Sequence, residues 1–375
     1  MRVLEIVNSL PGETFVRAHA RAVINHTDTD LVWGAWQTAR QGKLISPVNG
    51  LDVFGLSNYN RMGKASKASI RVRHRISGNP TFSPDTLVTK DVQALRPDLI
   101  HFQFASLAGQ HYHWAVEAGI PYTFSVRGSD VHTQPLGNEP YRQKVEEAGK
   151  HAKGIHFVSQ SMVTAYHRNI GQSGFYKVIR TPIDPSWAAI ERRPIPDRLV
   201  SVGRLTWQKD FPSLLRTMQR VSEVKPDAEL VIAGDGPDRE QLEYMIRDLG
   251  LENKVKLLGK IGHDDVKQLY SEAAVVIQTS IAEGFPNSLA EAMYAGVPIV
   301  TTRAGGIEEV LTDSETGLLT ATDDVEELSA KVLYALGNEQ CIKEMALKIK
   351  PVAEKSFSAE NHGRAFADFW KEAMS

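Results

Sequence analysis

Short apolar segments rich in β-branched residues alternate with segments of helical spacing along almost the whole chain. The apolar segments lack a polar residue at every second position, which is typical of strands buried on both faces. Strand–helix alternation of this kind predicts an α/β protein, with parallel sheets covered by helices on both faces. The predicted strands are RVLEIVNS, LVWGAW, DLIHFQF, PYTFSV and GIHFVS in the first half, and RLVSVG, ELVIAG, KVKLLG, AAVVIQTS and VPIVTT in the second.

A chain of 375 residues is long enough for two domains of ordinary size. The stretch RTPIDPSWAAIERRPIPD, residues 180–197, contains four prolines and several charges, as linkers do. We therefore expect a Rossmann-like N-terminal domain over 1–185 and a Rossmann-like C-terminal domain over 186–355, facing across a cleft. An amphipathic helix is predicted for 356–375. In such sheets, ligands bind beyond the carboxyl ends of the strands.

Composition excludes several classes of protein. A net charge of −2 gives no basis for nucleic-acid binding. No run approaches the roughly 18 apolar residues of a membrane span, and the apolar N-terminal run is too short for a signal peptide. The single cysteine, Cys341, cannot form an internal disulfide. We therefore expect a cytoplasmic protein.

Basic residues are concentrated between positions 61 and 75, and no acidic residue occurs from Val53 to Pro84. One interpretation is a solvated surface. The other is a patch for an anionic partner, either a phosphate-bearing or lipid-linked acceptor or an acidic membrane surface. On the second interpretation the protein contacts the inner face of the membrane peripherally.

The loops that follow the second-half strands carry candidate ligand-binding residues. Arg204 and Lys209 lie between a strand and a helix start, where two cations suit a diphosphate, although surface loops often carry such residues. Gly234, and Gly259 with Lys260, allow a ligand to approach the backbone. GDGPDR lacks the third glycine of the dinucleotide fingerprint, which disfavours an NAD-dependent oxidoreductase. No set of residues at metal-ligand spacing is apparent, so no metal is expected.

The segment SIAEGFPNSLAEAMYAGVP has two glutamates with different interpretations. Ser288 and Glu291 match a helix capping box, so Glu291 has a structural role available to it. Glu283 lies in the loop itself, where a carboxylate accepts hydrogen bonds from sugar hydroxyls. Backbone N–H groups at Phe285, Asn287 and Ser288 suit a phosphate at the helix start. Together these features indicate a sugar attached to a phosphate.

VGRLTWQKDFPSLL, IAGDGPDREQLE and EGFPNSLAEAMYAGVPIVTTRAGGIEEVLTDSETGLL resemble the retaining glycosyltransferases of family four, which have the GT-B fold. EGFPNSLAE fits the E-x7-E motif of that family, and PDLIHFQFAS and TFSVRGSDVH match more loosely. The resemblance implies sugar transfer from a nucleoside-diphosphate donor to an acceptor hydroxyl, in polysaccharide, glycolipid or other glycoconjugate synthesis. It implies no metal and no cofactor besides the donor substrate, with a UDP-sugar favoured over a GDP-sugar. It also implies that the C-terminal helix packs on the N-terminal domain.

The same resemblance assigns roles to residues. The family residues that match Arg204 and Lys209 bind the donor diphosphate and stabilise its charge. The family residue that matches Glu283 holds sugar hydroxyls, and the one that matches Glu291 binds the ribose. Arg204, Lys209, Glu283 and His101 are the catalytic candidates. The remaining donor-binding candidates are Gly12, Gly234, Gly259, Lys260, Gly284, Phe285, Pro286, Asn287, Ser288 and Leu289.

The N-terminal half supplies the acceptor-side candidates His101, Arg127 and Asp130. Arg127 occupies a position where many family members have a histidine; it stays protonated and cannot shuttle a proton, but it suits a donor phosphate or an anionic acceptor. His101 is either a cleft-facing residue at a strand end or a buried, hydrogen-bonded histidine. Only Gly12 stands where many members carry two glycines. Alternative functions are a nucleotide-sugar epimerase of the same fold and a non-catalytic sugar-nucleotide-binding protein.

Overall fold

The computed structural model describes part of the N-terminal half and all of the C-terminal half of the chain. Gly12 and the basic span 61–75 lie outside the described residues. The described residues are 1–7, 14–35, 44–48, 51–56 and 85–375.

Backbone contacts divide the chain into two compact units. Residues 1–158, 162–182 and 359–375 form the N-terminal unit, and residues 159–161 and 183–358 form the C-terminal unit. The chain passes from the first unit to the second between residues 182 and 183, whereas the boundary predicted from the sequence lies between residues 185 and 186.

The N-terminal unit contains an eight-stranded sheet in the order β3-β4-β2-β1-β5-β6-β7-β8, in which every pairing is parallel except that of β3 with β4. All five predicted strands of this half are present. Three others were not predicted: β3, β4 and β8. The strands are β1 (Arg2–Ile6), β2 (Asp30–Ala35), β3 (Leu44–Val48), β4 (Leu51–Gly55), β5 (Leu99–Phe102), β6 (Tyr122–Val126), β7 (Gly154–Phe157) and β8 (Tyr176–Val178).

Helices follow most of these strands, as parallel connections require. Among the described residues of the first half, the helices are α1 (Thr14–His26), α2 (Asp85–Leu95), α3 (Ala105–Ala118), α4 (Ser129–His132), α5 (Glu139–His151) and α6 (Gln160–Asn169).

The C-terminal unit contains a parallel sheet of six strands in the order β11-β10-β9-β12-β13-β14. All five predicted strands are present, and β14 is additional. Because β10 and β12 flank β9 on opposite sides, the chain leaves β9 in one direction and later returns on the other. The loops after β9 and β12 therefore diverge and leave a crevice at the carboxyl edge of the sheet. The strands are β9 (Arg198–Val202), β10 (Glu229–Ala233), β11 (Val255–Gly259), β12 (Val275–Gln278), β13 (Ile299–Thr302) and β14 (Leu318–Thr320).

Neighbouring residues of β9 belong to different hydrophobic clusters: Leu199 packs in one and Val200 in the other. Consecutive side chains of a strand point to opposite faces, so both faces of this sheet are covered by helices. The covering helices are α7 (Phe211–Val224), α8 (Arg239–Asp248), α9 (His263–Glu272), α10 (Asn287–Tyr294), α11 (Val325–Gly337) and α12 (Glu339–Phe357).

The last helix, α13 (Ala359–Met374), belongs to the N-terminal unit. Its buried aromatic residues Phe366, Phe369 and Trp370 pack in one cluster with Val3 and Val16, which lie on β1 and α1. In the described part of the chain, no helix is both long enough and apolar enough to cross a bilayer.

Candidate functional site

Two loops of the C-terminal unit meet at the crevice beside β9 and β12. The Thr279 hydroxyl, just after β12, donates to the backbone carbonyls of Lys209 and Asp210, each at 2.8 Å. The Ile281 N–H donates to the Gln208 carbonyl at 2.9 Å. These bonds act on the backbone, so they fix one loop against the other and determine which side chains meet.

The side chains brought together are Lys209 and Glu283, both predicted site residues. The ammonium nitrogen of Lys209 lies 2.6 Å from Oε1 of Glu283, and the two side chains are only 16% and 15% exposed. The Ser280 hydroxyl donates to the same carboxylate oxygen at 3.0 Å. Oε2 of Glu283 accepts no hydrogen bond from any described residue. One oxygen is therefore held, and the other is available to a ligand.

Glycines allow the backbone to pack closely around this pair. A Cβ on Gly305, where φ is +59°, would lie 1.8 Å from the Glu283 carbonyl oxygen, and the Gly306 N–H donates to the Gly284 carbonyl at 3.0 Å. Gly234 has φ of +151°, and a Cβ there would lie 1.8 Å from the Gly203 carbonyl oxygen. The sequence analysis interpreted Gly234 as a point of ligand approach and did not identify this second reason for a glycine: the loop after β10 packs against the backbone of the loop after β9.

Helix α10 begins at Asn287 with Pro286 as its N-cap, and no side chain caps it. The capping box predicted for Ser288 and Glu291 is therefore wrong, because the helix starts two residues too early to put Ser288 at the cap. In the described chain, the N–H groups of Asn287 and Ser288 have no acceptor, as is usual in a first turn. Those groups remain available to an anion or a hydroxyl.

Three other residues predicted in this loop serve the core through their side chains. Phe285 packs on Phe357 with ring centroids 4.9 Å apart, and Pro286 and Leu289 are buried. These three residues can therefore contact a ligand through their backbone groups.

Glu291 lies further along α10 and is half-buried. Burial raises its pKa to about 8. No described residue forms a hydrogen bond or ion pair with this carboxylate, although the Tyr270 phenol, which donates to the Ser288 carbonyl at 2.8 Å, is near enough for the two groups to affect each other's charge. A half-buried carboxylate without a partner is costly, so hydrogen bonds from ligand hydroxyls would compensate it.

The remaining donor-side candidates are more exposed. Arg204 and Lys260 are both exposed and have no ion-pair partner among the described residues. Gly259 has φ of +72° and ends β11, which β10 separates from β9. Arg204 shares a loop with Lys209, whereas Lys260 lies further along the sheet edge. The described residues include no group of three or more His, Cys, Asp or Glu side chains that could hold a metal ion.

In the N-terminal unit, His101 is fully buried within β5. Its ring nitrogens lie 2.8 Å from the Thr123 hydroxyl and 2.9 Å from the Ser125 hydroxyl, and burial lowers its pKa to about 3. Phe366 and Trp370 cover the ring. The expectation of a cleft-facing catalytic or acceptor-side His101 is therefore wrong, and the buried, hydrogen-bonded alternative describes it.

Asp130 is likewise buried, and burial raises its pKa to about 6. Its carboxylate accepts the Arg127 N–H at 3.2 Å, and its backbone carbonyl accepts the Tyr141 hydroxyl at 3.2 Å. These bonds hold the loop, which corrects the expectation that Asp130 faces an acceptor. Arg127 is partly buried: its guanidinium donates to the Gln103 side chain at 2.6 Å and lies over the Phe15 ring.

A buried polar network lies behind Arg127 and was not predicted from the sequence. Glu5 of β1, fully buried, contacts His19 and accepts from Trp33 at 3.0 Å and Gln103 at 2.7 Å. Burial raises the pKa of Glu5 to about 7. In the sequence, Glu5 only interrupts an apolar run, and nothing local indicates partners that come from α1, β2 and the end of β5.

The two units, each a parallel or mostly parallel sheet covered by helices, have the GT-B class of fold. The Anabaena protein HepE, solved in complex with UDP, aligns with 99% of this chain and 100% of its own, with a TM-score of 0.76 at 19% identity. The same protein solved with UDP-glucose gives 0.74 at 20% identity over 99% of both chains. At this level of identity the likeness shows the fold alone.

Residues 188–356, a little less than half of the chain, match the family model described as Glycosyl transferases group 1. An uncharacterized glycosyltransferase of Methanocaldococcus jannaschii is 35% identical over 179 residues, 47% of this chain and 45% of the relative. The GalNAc-α-(1→4)-GalNAc-α-(1→3)-diNAcBac-PP-undecaprenol α-1,4-N-acetyl-D-galactosaminyltransferase of Campylobacter jejuni is 33% identical over 151 residues, 40% and 41% of the two chains. The chain thus spans less than half the length of these curated relatives.

Proposed function

We propose that this chain is a retaining glycosyltransferase that moves a sugar from a nucleoside-diphosphate donor to an acceptor hydroxyl. One observation carries the proposal: Lys209 and Glu283 meet at the crevice beside β9 and β12, and the unpartnered Glu291 lies on the helix that follows. A cation and two carboxylates match the three parts of such a donor, namely its diphosphate, its sugar and its ribose.

Each part of the donor has a partner in this scheme. Lys209 and Arg204 bind the diphosphate, aided by the N–H groups at the start of α10. The free Oε2 of Glu283 accepts hydrogen bonds from the transferred sugar. Glu291 accepts hydrogen bonds from the ribose diol, which compensates the burial of its carboxylate.

The reaction then needs no protein nucleophile, because Glu283 is engaged with hydroxyls away from the reacting carbon. The bond from the anomeric carbon to the diphosphate breaks, and the acceptor oxygen forms its bond on the same face. The acceptor proton passes to the departing phosphate oxygen. Lys209 and Arg204 stabilise the negative charge that grows on the diphosphate, so the scheme assigns no role to a metal.

Uridine is the proposed base and a phosphate-bearing, lipid-linked molecule the proposed acceptor. Support for UDP comes from the complexes of HepE, which shares the fold. Support for the acceptor comes from the basic residues between 61 and 75 and from the Campylobacter relative, whose name includes an undecaprenol diphosphate acceptor. Peripheral contact with an anionic membrane follows from the same charges.

Thermal unfolding with UDP, GDP, ADP, CDP and dTDP tests the donor site. A ligand at a hundred times its Kd stabilises the fold by about 2.7 kcal/mol, so the correct base should raise Tm clearly. The matching nucleotide sugars are then assayed for release of the nucleoside diphosphate with and without acceptor sugars. Epimerised donor without acceptor would indicate an epimerase instead, and binding without any release would indicate a sensor.

Sedimentation with phosphatidylglycerol vesicles tests the membrane contact. We expect binding at low salt that weakens at high salt, because exposed charges are screened. Neutral phosphatidylcholine vesicles are the control. No sedimentation at low salt would exclude membrane contact and leave a soluble phosphate-bearing acceptor.

A further inference from the structure

A line of buried polar side chains leads from the sheet to Glu283. Gln278, the last residue of β12, is 5% exposed, and its side-chain nitrogen donates to the Ser280 hydroxyl at 3.0 Å. Ser280 is fully buried and donates to Oε1 of Glu283 at 3.0 Å. Polar side chains are rarely this buried unless their hydrogen bonds are made, and here each one is directed at the next.

The direction of these bonds follows from the chemistry of the groups. A serine hydroxyl has one proton to donate, and its oxygen lone pairs accept. Because the Gln278 amide donates to that oxygen, the hydroxyl proton is left to point at Glu283. The Thr302 hydroxyl of β13 donates to the Ser280 carbonyl at 2.5 Å, which fixes the Ser280 backbone as well.

Two groups therefore hold the same oxygen of Glu283: the Ser280 hydroxyl and the Lys209 ammonium. A glutamate side chain has several rotatable bonds and would otherwise sample many orientations of its carboxylate. Held at Oε1, the carboxylate presents Oε2 in one direction. The ammonium alone could not do this, because a lysine ammonium is a point charge on a flexible stem.

We propose that Ser280, supported by Gln278, is a positioning residue that fixes the Glu283 carboxylate and so determines which hydroxyl of the donor sugar is recognised. The proposal rests on the proposed function, in which Glu283 binds the transferred sugar. It separates recognition of the sugar, which depends on Ser280, from recognition of the nucleoside diphosphate, which does not. A hydroxyl that only stabilised the loop would affect both.

The test compares wild type with Ser280→Ala and Gln278→Met, which keeps the length of the side chain but removes its donor. Ser329→Ala is the matched control, because Ser329 is equally buried and its hydroxyl donates to the Val325 carbonyl at 2.6 Å within α11. Calorimetry measures the Kd of UDP. Release of UDP by hydrolysis, which needs no acceptor, measures kcat and KM for UDP-glucose, UDP-galactose, UDP-N-acetylglucosamine and UDP-N-acetylgalactosamine, two pairs of C4 epimers.

For Ser280→Ala we expect an unchanged Kd for UDP and a kcat for the preferred donor lower by about tenfold, the size of one hydrogen bond to a charged group. The ratio of kcat/KM for the preferred donor to kcat/KM for its C4 epimer should decrease by about fivefold. Gln278→Met should show the same pattern at about a third of the size, and Ser329→Ala should change neither quantity.

An unchanged epimer ratio in Ser280→Ala would overturn the inference, as would a loss of UDP affinity equal to the loss of donor affinity. If Ser280→Ala does not fold, Gln278→Met decides, since Gln278 does not touch Glu283. A wild type that neither binds UDP nor hydrolyses any of the four donors would instead refute the proposed function, and this inference with it.

Discussion

Glu283→Gln should have opposite effects on the two halves of the donor: UDP should bind more tightly, and the sugar should be transferred more slowly. In the free protein the Lys209 ammonium is already paired with the Glu283 carboxylate at 2.6 Å. A bound diphosphate must compete with that carboxylate and is also repelled by it. The neutral, isosteric glutamine removes the competing charge and keeps the shape of the side chain.

The size of the effect follows from Coulomb's law. At about 6 Å between carboxylate and phosphate and an effective dielectric of about 60, removing one unit charge favours UDP binding by roughly 0.9 kcal/mol, or about fivefold in Kd. The sugar hydroxyl exchanges a charged acceptor for a neutral one, which lowers kcat by about tenfold or more. The gain in UDP affinity should shrink at high salt, because salt screens partly exposed charges.

Calorimetry with UDP at two salt concentrations, together with UDP release from the preferred donor, measures both effects. Glu229→Gln is a matched control: Glu229 pairs with Arg198 at 2.6 Å, with side chains 23% and 17% exposed, at the amino end of β10 and β9. The control should leave UDP affinity unchanged. Weaker UDP binding in Glu283→Gln would refute the reasoning, since it would mean that the carboxylate is needed to place Lys209.

Three further predictions concern Lys209, Glu291 and His101. Lys209→Ala should lower kcat/KM by about a hundredfold through loss of charge stabilisation. The control, Lys225→Ala, breaks a pair with Asp197 at 2.8 Å elsewhere in the unit and should keep kcat/KM near the wild-type value. A Lys209→Ala variant that keeps more than about a third of the wild-type kcat/KM would contradict the assignment. Because burial raises the pKa of Glu291 from 4.5 to about 8, its protonated form is favoured by folding: that stability is fully present below pH 4.5 and is lost as pH rises through about 8. Donor affinity should rise over the same range as the carboxylate ionises, and Glu291→Gln should flatten both profiles, measured by calorimetry and by urea unfolding. His101→Ala should reduce the free energy of unfolding by about 3 kcal/mol, because it leaves the buried hydroxyls of Thr123 and Ser125 without this partner. The kcat of the folded fraction should be unchanged. Loss of activity with intact stability would instead indicate a catalytic role for His101.

Three of the four strands that the sequence missed, β3, β8 and β14, lie at the edges of their sheets, whereas β4 lies one strand in from an edge. β8 and β14 have three residues each, and β3 contains Pro47 and lies at the edge, where a missing N–H is tolerated. Periodicity needs length, so these strands depend on pairing with neighbours that the sequence does not reveal.

The meeting of Lys209 and Glu283 was predictable because of topology. In a parallel sheet every strand ends at the same edge, so polar residues just after two strands converge even when many residues separate them. Partners from inside a strand were not predictable. Gln278 and Ser280 are only polar residues at the end of VVIQTS, and the bonds of His101 to Thr123 and Ser125 depend on the register of β5 against β6.

The arrangement around Glu283 also explains why a nearly buried lysine is tolerated before any donor binds. A lysine side chain that is only 16% exposed would be costly without a counter-charge, and Glu283 supplies one. In the proposed mechanism, a diphosphate replaces that carboxylate as the partner of Lys209, and Oε1 of Glu283 is then held by Ser280 alone. The carboxylate, no longer neutralised by the ammonium, would become a stronger acceptor for the sugar hydroxyl at Oε2. Binding of the diphosphate would therefore strengthen recognition of the sugar through a single exchanged ion pair.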